Sequence, residues 1–310
     1  MKKILATPRS FAKEDDTPLK LLKAAGCTVV CNPVGQILTK EQMMEHLKDC
    51  VGVIVGVDPL DEEVIASAPG LKAIAKYGVG TDNIDVEAAK RRNIPVSITA
   101  GANSNAVADY AFALMMAVAR RVVPIDKACH GRNWNKQTSL DVYGKTLGII
   151  GLGAIGKGVA RRGGAGFEMK VLAHDPYWDE EFATKHGICC ATPEEIYREC
   201  DFISLHLPLT EETRGMVGAK QFAMMKPTAV VVNTARGGVI DEDALVDALG
   251  RKIIYGAGID AFEQEPPDRE ALYGLDNLVM GSHSAASTIG AVNNMGIVAA
   301  QNLLRDMERN

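Results

Sequence analysis

A chain of 310 residues, 47% hydrophobic and 24% charged, is long enough for two ordinary domains, each with its own core. Its net charge of −5 is spread over interleaved acids and bases with no basic block, so nucleic acid is excluded as an expected partner. The apolar stretch after Lys2 and Lys3 breaks at Thr7 and Pro8, and the most apolar helical run, 111–119, is far shorter than the ~20 residues a bilayer span needs; neither an export signal nor a membrane partner is expected, and the protein reads as cytoplasmic.

The first hundred residues alternate short apolar runs, at 4–6, 28–31, 51–57, 73–75 and 96–98, with helical stretches at 18–25, 40–49 and 86–92. Such alternation predicts βαβ units around a parallel sheet. Gly26 and Asn93 stand where two of the helices should stop. From Asn105 to about His130 runs a longer helical pattern, apolar on all sides between Ala106 and Val118 except at Asp109. A helix apolar all round must be buried, either in an ordinary core or between domains or subunits, and the second possibility predicts a homodimer. After Gly144 the alternation resumes, with strands expected at 146–150, 170–173, 202–207, 229–233, 255–259 and 278–280. Six strands with intervening helices complete a dinucleotide-binding sheet, so the fold class is α/β with two doubly wound parallel sheets. The seven cysteines show no CxxC spacing and lie mainly in or beside apolar runs, which predicts reduced, buried thiols and no metal site.

Between the strand at 147–150 and the helix that follows lies Gly151-Leu152-Gly153-Ala154-Ile155-Gly156. The first glycine allows a tight turn, the second lets a pyrophosphate approach the backbone, and the third lets helix and strand pack closely, with the helix N-terminus facing the anion. Asp175 stands just past the next strand, where a carboxylate can hydrogen-bond ribose hydroxyls and repel a 2′-phosphate. The expected cofactor is therefore NAD and not NADP.

Reduction of a 2-oxo acid requires a cation for the carboxylate, an acid for the carbonyl oxygen and a partner that tunes that acid. Arg236, Glu265 and His283 each follow a predicted strand on the sheet edge where ligands bind, and together they supply all three. Taken singly, each has a plainer reading: a surface charge, a loop residue before Pro266, a polar loop histidine.

Asn233-Thr-Ala-Arg-Gly-Gly-Val-Ile-Asp241, Gly258-Ile-Asp-Ala-Phe-Glu-Gln-Glu-Pro266 and Leu205-His-Leu-Pro-Leu-Thr210 resemble the D-isomer-specific 2-hydroxyacid dehydrogenase family, particularly its phosphoglycerate-dehydrogenase-like members. The resemblance implies a flavodoxin-like substrate domain, residues 1–101 with 284–310, around an inserted Rossmann NAD domain at 102–283. It matches the family's catalytic arginine, glutamate and histidine to Arg236, Glu265 and His283, leaving Glu263 as a decoy. It further places Ala154, Ile155, Asp175, His206, Pro208, Thr234, Ala235 and Asp260 against NAD, with Asp260 on the carboxamide. The loop containing Tyr77, Gly78, Val79 and Gly80 resembles the family segment whose backbone amides grip the substrate carboxylate, and Asn103 falls at another polar contact of the family.

Two departures stand out. The sequence Ser282-His283-Ser284 lacks the family's usual proline before the histidine and glycine soon after it, which bears on how tightly that loop is held. Gly163-Gly-Ala-Gly166 predicts local looseness at the end of the helix after the glycine turn, at roughly 1 kcal/mol per glycine. The short stretch after His283 leads to the expectation of no C-terminal regulatory domain. The implied substrate is a small D-2-hydroxy or 2-oxo acid. For 3-phosphoglycerate or phosphohydroxypyruvate, Val55-Gly-Val-Asp-Pro59 offers an acid where a phosphate-binding arginine belongs, so phosphate would need another cation such as Lys76 or Arg132. Hydroxypyruvate or glyoxylate reduction is the alternative, and an NAD-sensing interaction protein is the rival from another class.

Overall fold

The computed structural model describes residues 2–309 and divides the chain into two compact units: one takes in the residues up to Asn103 with those from Ser287 on, the other is Ser104–Ala286. The first unit has five parallel strands, β1 (Lys2–Ala6), β2 (Cys27–Cys31), β3 (Gly52–Val55), β4 (Ala73–Lys76) and β5 (Val96–Ile98), in the order β2-β1-β3-β4-β5. The second has seven, β6 (Thr146–Ile150), β7 (Lys170–His174), β8 (Ile188–Cys190), β9 (Phe202–Leu205), β10 (Val230–Asn233), β11 (Gly256–Ile259) and β12 (Leu278–Met280), in the order β12-β11-β10-β9-β6-β7-β8. Every pairing in both sheets is parallel. The first order is flavodoxin-like, and the second is the Rossmann order extended by one strand at the β12 edge.

A parallel sheet is covered on both faces, so its central strands are apolar at every position, and alternate residues go to opposite cores. In the first unit Leu5, Val53, Val55 and Ile74 face one core, while Ile4, Ala6, Ile54 and Ala73 face the other, beneath the long helix Ile289–Glu308. In the second unit Leu147, Ile149, Val230 and Val232 pack on one side, and Ile150, Ile203, Leu205 and Val231 on the other.

The apolar helical pattern beginning at Asn105 forms two helices, Ser104–Ala119 and Val122–His130, because Arg121 takes a left-handed backbone conformation with φ +52° between them. The first helix is buried within its own unit, with Ala111, Met115 and Ala119 in the core shared with β6 and β10. It is an ordinary core helix, so the sequence argument from this helix to a homodimer fails. The second helix buries none of its residues. Gly163-Gly-Ala-Gly166 leaves the α-helical path as a π-helical turn at Arg162–Gly166. The sheet has seven strands instead of the expected six. The one not anticipated, β8, is three residues long and lies at the edge, too short to show a period. Cys27, Cys50 and Cys200 are buried, and burial pushes the Cys200 thiol up to about 12; Cys31, Cys189 and Cys190 are exposed, contrary to the expectation for Cys31.

Candidate active site

In the seven-stranded sheet the candidate residues all follow the carboxyl ends of strands: Gly151 after β6, Asp175 after β7, His206 after β9, Arg236 after β10, Glu265 after β11 and His283 after β12. Parallel strands put these loops on one edge, beside the switch point between β6 and β9 where the strand order reverses.

The glycine turn is built by contacts that only glycine permits. Gly151 has φ +98°, and a Cβ on Gly156 would run into the Gly151 carbonyl. A Cβ on Gly153 would instead meet nothing within 4 Å, so open space lies over the N-terminus of the helix Ala154–Arg161, which has no side-chain cap. Ala154 and Ile155 are its first two residues, and their amides are not paired within the helix. Asp175 closes the turn: its Oδ2 accepts the Leu152 N–H at 2.7 Å, and its Oδ1 accepts that of Tyr177 at 2.8 Å. Oγ1 of Thr234 and Nδ1 of His206 are among the buried polar atoms that lack partners among the described residues. Open space above an uncapped helix start, a carboxylate past the second strand and orphaned polar atoms fit a dinucleotide.

His206 hydrogen-bonds Ser204 through Nε2 at 2.8 Å, and burial pushes its pKa down to about 3, so its ring is neutral. Pro208 follows β9 and accepts the Thr213 hydroxyl at 2.7 Å. Asn233 braces the turn after β10, with Oδ1 accepting from Ala235 N at 3.0 Å and Nδ2 donating to the Arg236 carbonyl at 2.8 Å.

On that braced turn, Arg236 Nη1 donates to the Ala235 carbonyl at 2.8 Å, and the guanidinium is near enough to act electrostatically on both Glu265 and His283. Glu265 meets His283 Nδ1 with its two oxygens, at 2.9 and 3.0 Å. The carboxylate raises the imidazole pKa through this hydrogen bond, against an opposing effect of burial. Burial pushes Glu265 upward, but the hydrogen bond and charge of His283 outweigh it and leave the carboxyl below its ordinary value. Glu263, two residues earlier, pairs with Arg269 at 3.1 Å.

Asp260 is 1% exposed and holds the histidine loop from within. Its carbonyl accepts from His283 N, Oδ1 from Ser284 N and Oδ2 from Ala285 N, each at 2.9 Å. His283 takes φ +56°, a left-handed conformation that these three bonds sustain without a neighbouring proline or glycine. The Asp260 carboxylate was expected on the nicotinamide carboxamide; both its oxygens are engaged by backbone here.

The remaining candidates belong to the first unit. Tyr77 donates its hydroxyl to the Val292 carbonyl at 2.7 Å, and Gly78 N–H goes to Thr99 Oγ1 at 2.8 Å. The amides of Val79 and Gly80 make no hydrogen bond among the described residues. Asn103 is buried, with Nδ2 3.7 Å from Met295 Sδ and an unpartnered Oδ1. Lys76, suggested as a spare cation for a phosphate, is buried, its ammonium donating to the Gly56 carbonyl at 2.5 Å and to Asn83 Oδ1 at 2.6 Å. Asp58, in the loop after β3, is also buried, accepting from the Thr7 hydroxyl and from Leu38 N.

Sequence reasoning passed over Asn233 as a brace and Asp260 as the support of the histidine loop, because a brace is defined by backbone partners that only the fold supplies. It also passed over Glu242, 4% exposed, which accepts the Glu263 N–H at 2.6 Å and pairs with Arg269 at 2.8 Å.

A family model for the NAD-binding domain of D-isomer specific 2-hydroxyacid dehydrogenases matches residues 112–285. The chain is 43% identical over 274 residues to a glyoxylate reductase of Korarchaeum cryptofilum, an alignment covering 86% of this chain and 82% of that one. It is 41% identical over 270 residues to a D-3-phosphoglycerate dehydrogenase of Methanocaldococcus jannaschii, covering 86% of this chain but 51% of that relative. Among solved structures, the TT0316 protein from Thermus thermophilus superposes with a TM-score of 0.91 at 36% identity, over 99% of this chain and 97% of that one.

Proposed function

The chain belongs to the D-isomer specific 2-hydroxyacid dehydrogenases, NAD-dependent oxidoreductases, and from that premise we propose that it reduces a small, unphosphorylated 2-oxo acid of the glyoxylate or hydroxypyruvate type. The observation that carries this reading is the Glu265 carboxylate on Nδ1 of His283, with Arg236 close to both. Bound NADH supplies the hydride for carbon 2. Arg236 holds the substrate carboxylate in its planar fork. His283, charged because Glu265 favours the charged form, donates a proton from Nε2 to the oxygen at carbon 2; in the oxidative direction the neutral ring takes that proton back.

The glycine turn of Gly151, Gly153 and Gly156, with Ala154, Ile155, Asp175, His206, Pro208, Thr234 and Ala235, is assigned to the dinucleotide. In the first unit, assigned as the substrate domain, the undonated amides of Val79 and Gly80 support a substrate-contacting role for their loop. An unphosphorylated acid is supported by the engagement of Lys76, by the buried acid Asp58 after β3, and by the glyoxylate reductase relative.

The test is the loss of NADH absorbance against glyoxylate, hydroxypyruvate, pyruvate, branched 2-oxo acids and phosphohydroxypyruvate, repeated with NADPH. Turnover of an unphosphorylated acid with NADH is expected. Preference for phosphohydroxypyruvate would overturn the substrate assignment, and silence on every acid despite NADH binding would favour a cofactor-sensing role.

A homodimer is part of this proposal, on a different ground from the buried helix. Val122 and Val123 are 53% and 49% exposed on a helix with no buried residue, and Trp134 just beyond it is 80% exposed. Light scattering after size exclusion is expected to give twice the chain mass; a stable monomer would overturn it.

A further inference from the structure

We propose that Glu242 is a positioning residue for Glu265, pinning the segment 261–265 to the turn that carries Arg236 so that the Glu265 carboxylate stays on His283. The inference rests on the reading of Glu265 and His283 as the acid pair.

Glu242 opens the helix Glu242–Gly250, capped by Asp241, so it lies at the end of the turn that begins with Thr234 and Arg236. Its buried carboxylate reaches across to the next loop in two ways. One oxygen accepts the Glu263 N–H at 2.6 Å. The other accepts Arg269 Nη1 at 2.8 Å, and Arg269 also engages Asp243 at 2.9 Å and Glu263 at 3.1 Å. A buried carboxylate costs free energy unless it is paired and hydrogen-bonded, and here both requirements are met by the loop that bears Glu265.

The same two segments touch backbone to backbone beside this bond. A Cβ on Gly237, next to Arg236, would run into the Phe262 carbonyl and the Glu263 amide. Within the pinned segment, Phe262 N–H donates to Glu265 Oε1 at 3.1 Å, the same oxygen that meets His283 at 2.9 Å. The line of contacts runs from Glu242 through the Phe262–Glu263 backbone to Glu265 and then to the imidazole. The charged groups facing Glu242 are Arg269, Glu263 and Asp268, with Asp243 facing Arg269, and those facing His283 are Glu265, Asp260 and Arg236.

The experiment follows the His283 imidazole by NMR in protein with labelled histidines, its signal assigned from the spectrum of His283→Ala, together with kcat and KM for the oxo acid. Glu242→Ala is expected to lower the His283 pKa by about half a unit or more, because Glu265 drifts from the ring. It is expected to cut kcat by about tenfold while substrate KM changes less than about twofold. Glu242→Gln, whose amide oxygen still accepts from Glu263 N, is expected to keep His283 near its wild-type value. An unmoved His283 titration in Glu242→Ala, or equal shifts in both variants, overturns the proposal. If Glu242→Ala does not fold, Glu242→Ser, polar but too short to reach the Glu263 N–H, takes its place; it must shift His283 downward, and an unchanged titration overturns the proposal. Should His283→Ala turn over as fast as wild type, the acid-pair reading falls while the NMR result still decides whether Glu242 positions Glu265.

Discussion

The Glu265 carboxylate meets Nδ1 of His283 with both oxygens, at 2.9 and 3.0 Å, which leaves Nε2 as the ring nitrogen that can serve a substrate. The two groups pull each other's titration apart, the imidazole upward and the carboxyl downward. The His283 contribution to stability is present below the ordinary imidazole value of 6.5 and is lost as pH rises through its raised folded value. The Glu265 contribution is present above the ordinary 4.5 and is lost as pH falls through its lowered folded value. Between those limits the charged pair is intact. Reduction therefore declines as pH rises through the raised His283 value, and Glu265→Gln moves that limb to lower pH. A kcat/KM profile in which the limb stays in place would remove Glu265 from its tuning role.

Removing the acid tests the chemistry more directly. His283→Ala is expected to lower turnover by about 100- to 10,000-fold while NADH affinity stays within about twofold, since no hydrogen bond joins His283 to the glycine turn. Equal turnover in the variant would eliminate the proposed proton donor; stopped-flow reduction with NADH fluorescence titration measures both quantities.

Arg236 is expected to resist conservative replacement. Its turn is braced by Asn233 on two sides, which fixes where the guanidinium starts, and a lysine ammonium cannot reproduce a two-pronged contact with a carboxylate. Arg236→Lys should lower kcat/KM by about tenfold or more, the cost of roughly one good charged hydrogen bond. A KM for the oxo acid equal to that of the wild type would argue that the carboxylate is held elsewhere.

Both sheets were legible because a buried parallel strand is a short run of apolar residues bounded by turn residues, and Gly26 and Asn93 stopped their helices with φ of +76° and +56°. The edge strand Ile188–Cys190 was not legible: three residues, two of them exposed cysteines, carry no period. The long apolar helix was legible as buried but not as to its burial partner, since periodicity reveals that a face is covered and not what covers it. In the site, Arg236, Glu265 and His283 stood out because reactive side chains sit just past strands. Glu242 and Asn233 did not, nor did the support Asp260 gives the histidine loop, because acids and amides near helix starts and turns are common, and their function here lies in backbone groups 2 to 25 residues away along the chain.

The choice of dinucleotide is expected to rest on Asp175, which has two duties. Its Oδ2 already accepts the Leu152 N–H at 2.7 Å, so it shapes the glycine turn in addition to its proposed contact with the ribose. Replacing it with alanine removes the charge that repels a 2′-phosphate but also frees the Leu152 amide, and the second effect weakens both cofactors. Asp175→Asn keeps an acceptor for Leu152 while removing the charge and the second acceptor that the Tyr177 N–H uses. The expected result is that Asp175→Ala loses NADH affinity by about tenfold without gaining NADPH, whereas Asp175→Asn narrows the NADH-over-NADPH preference by about tenfold with a smaller loss of NADH binding. Fluorescence titrations of both variants with both cofactors separate the two duties. If alanine and asparagine behaved alike, the bond to Leu152 would have no part in shaping the turn.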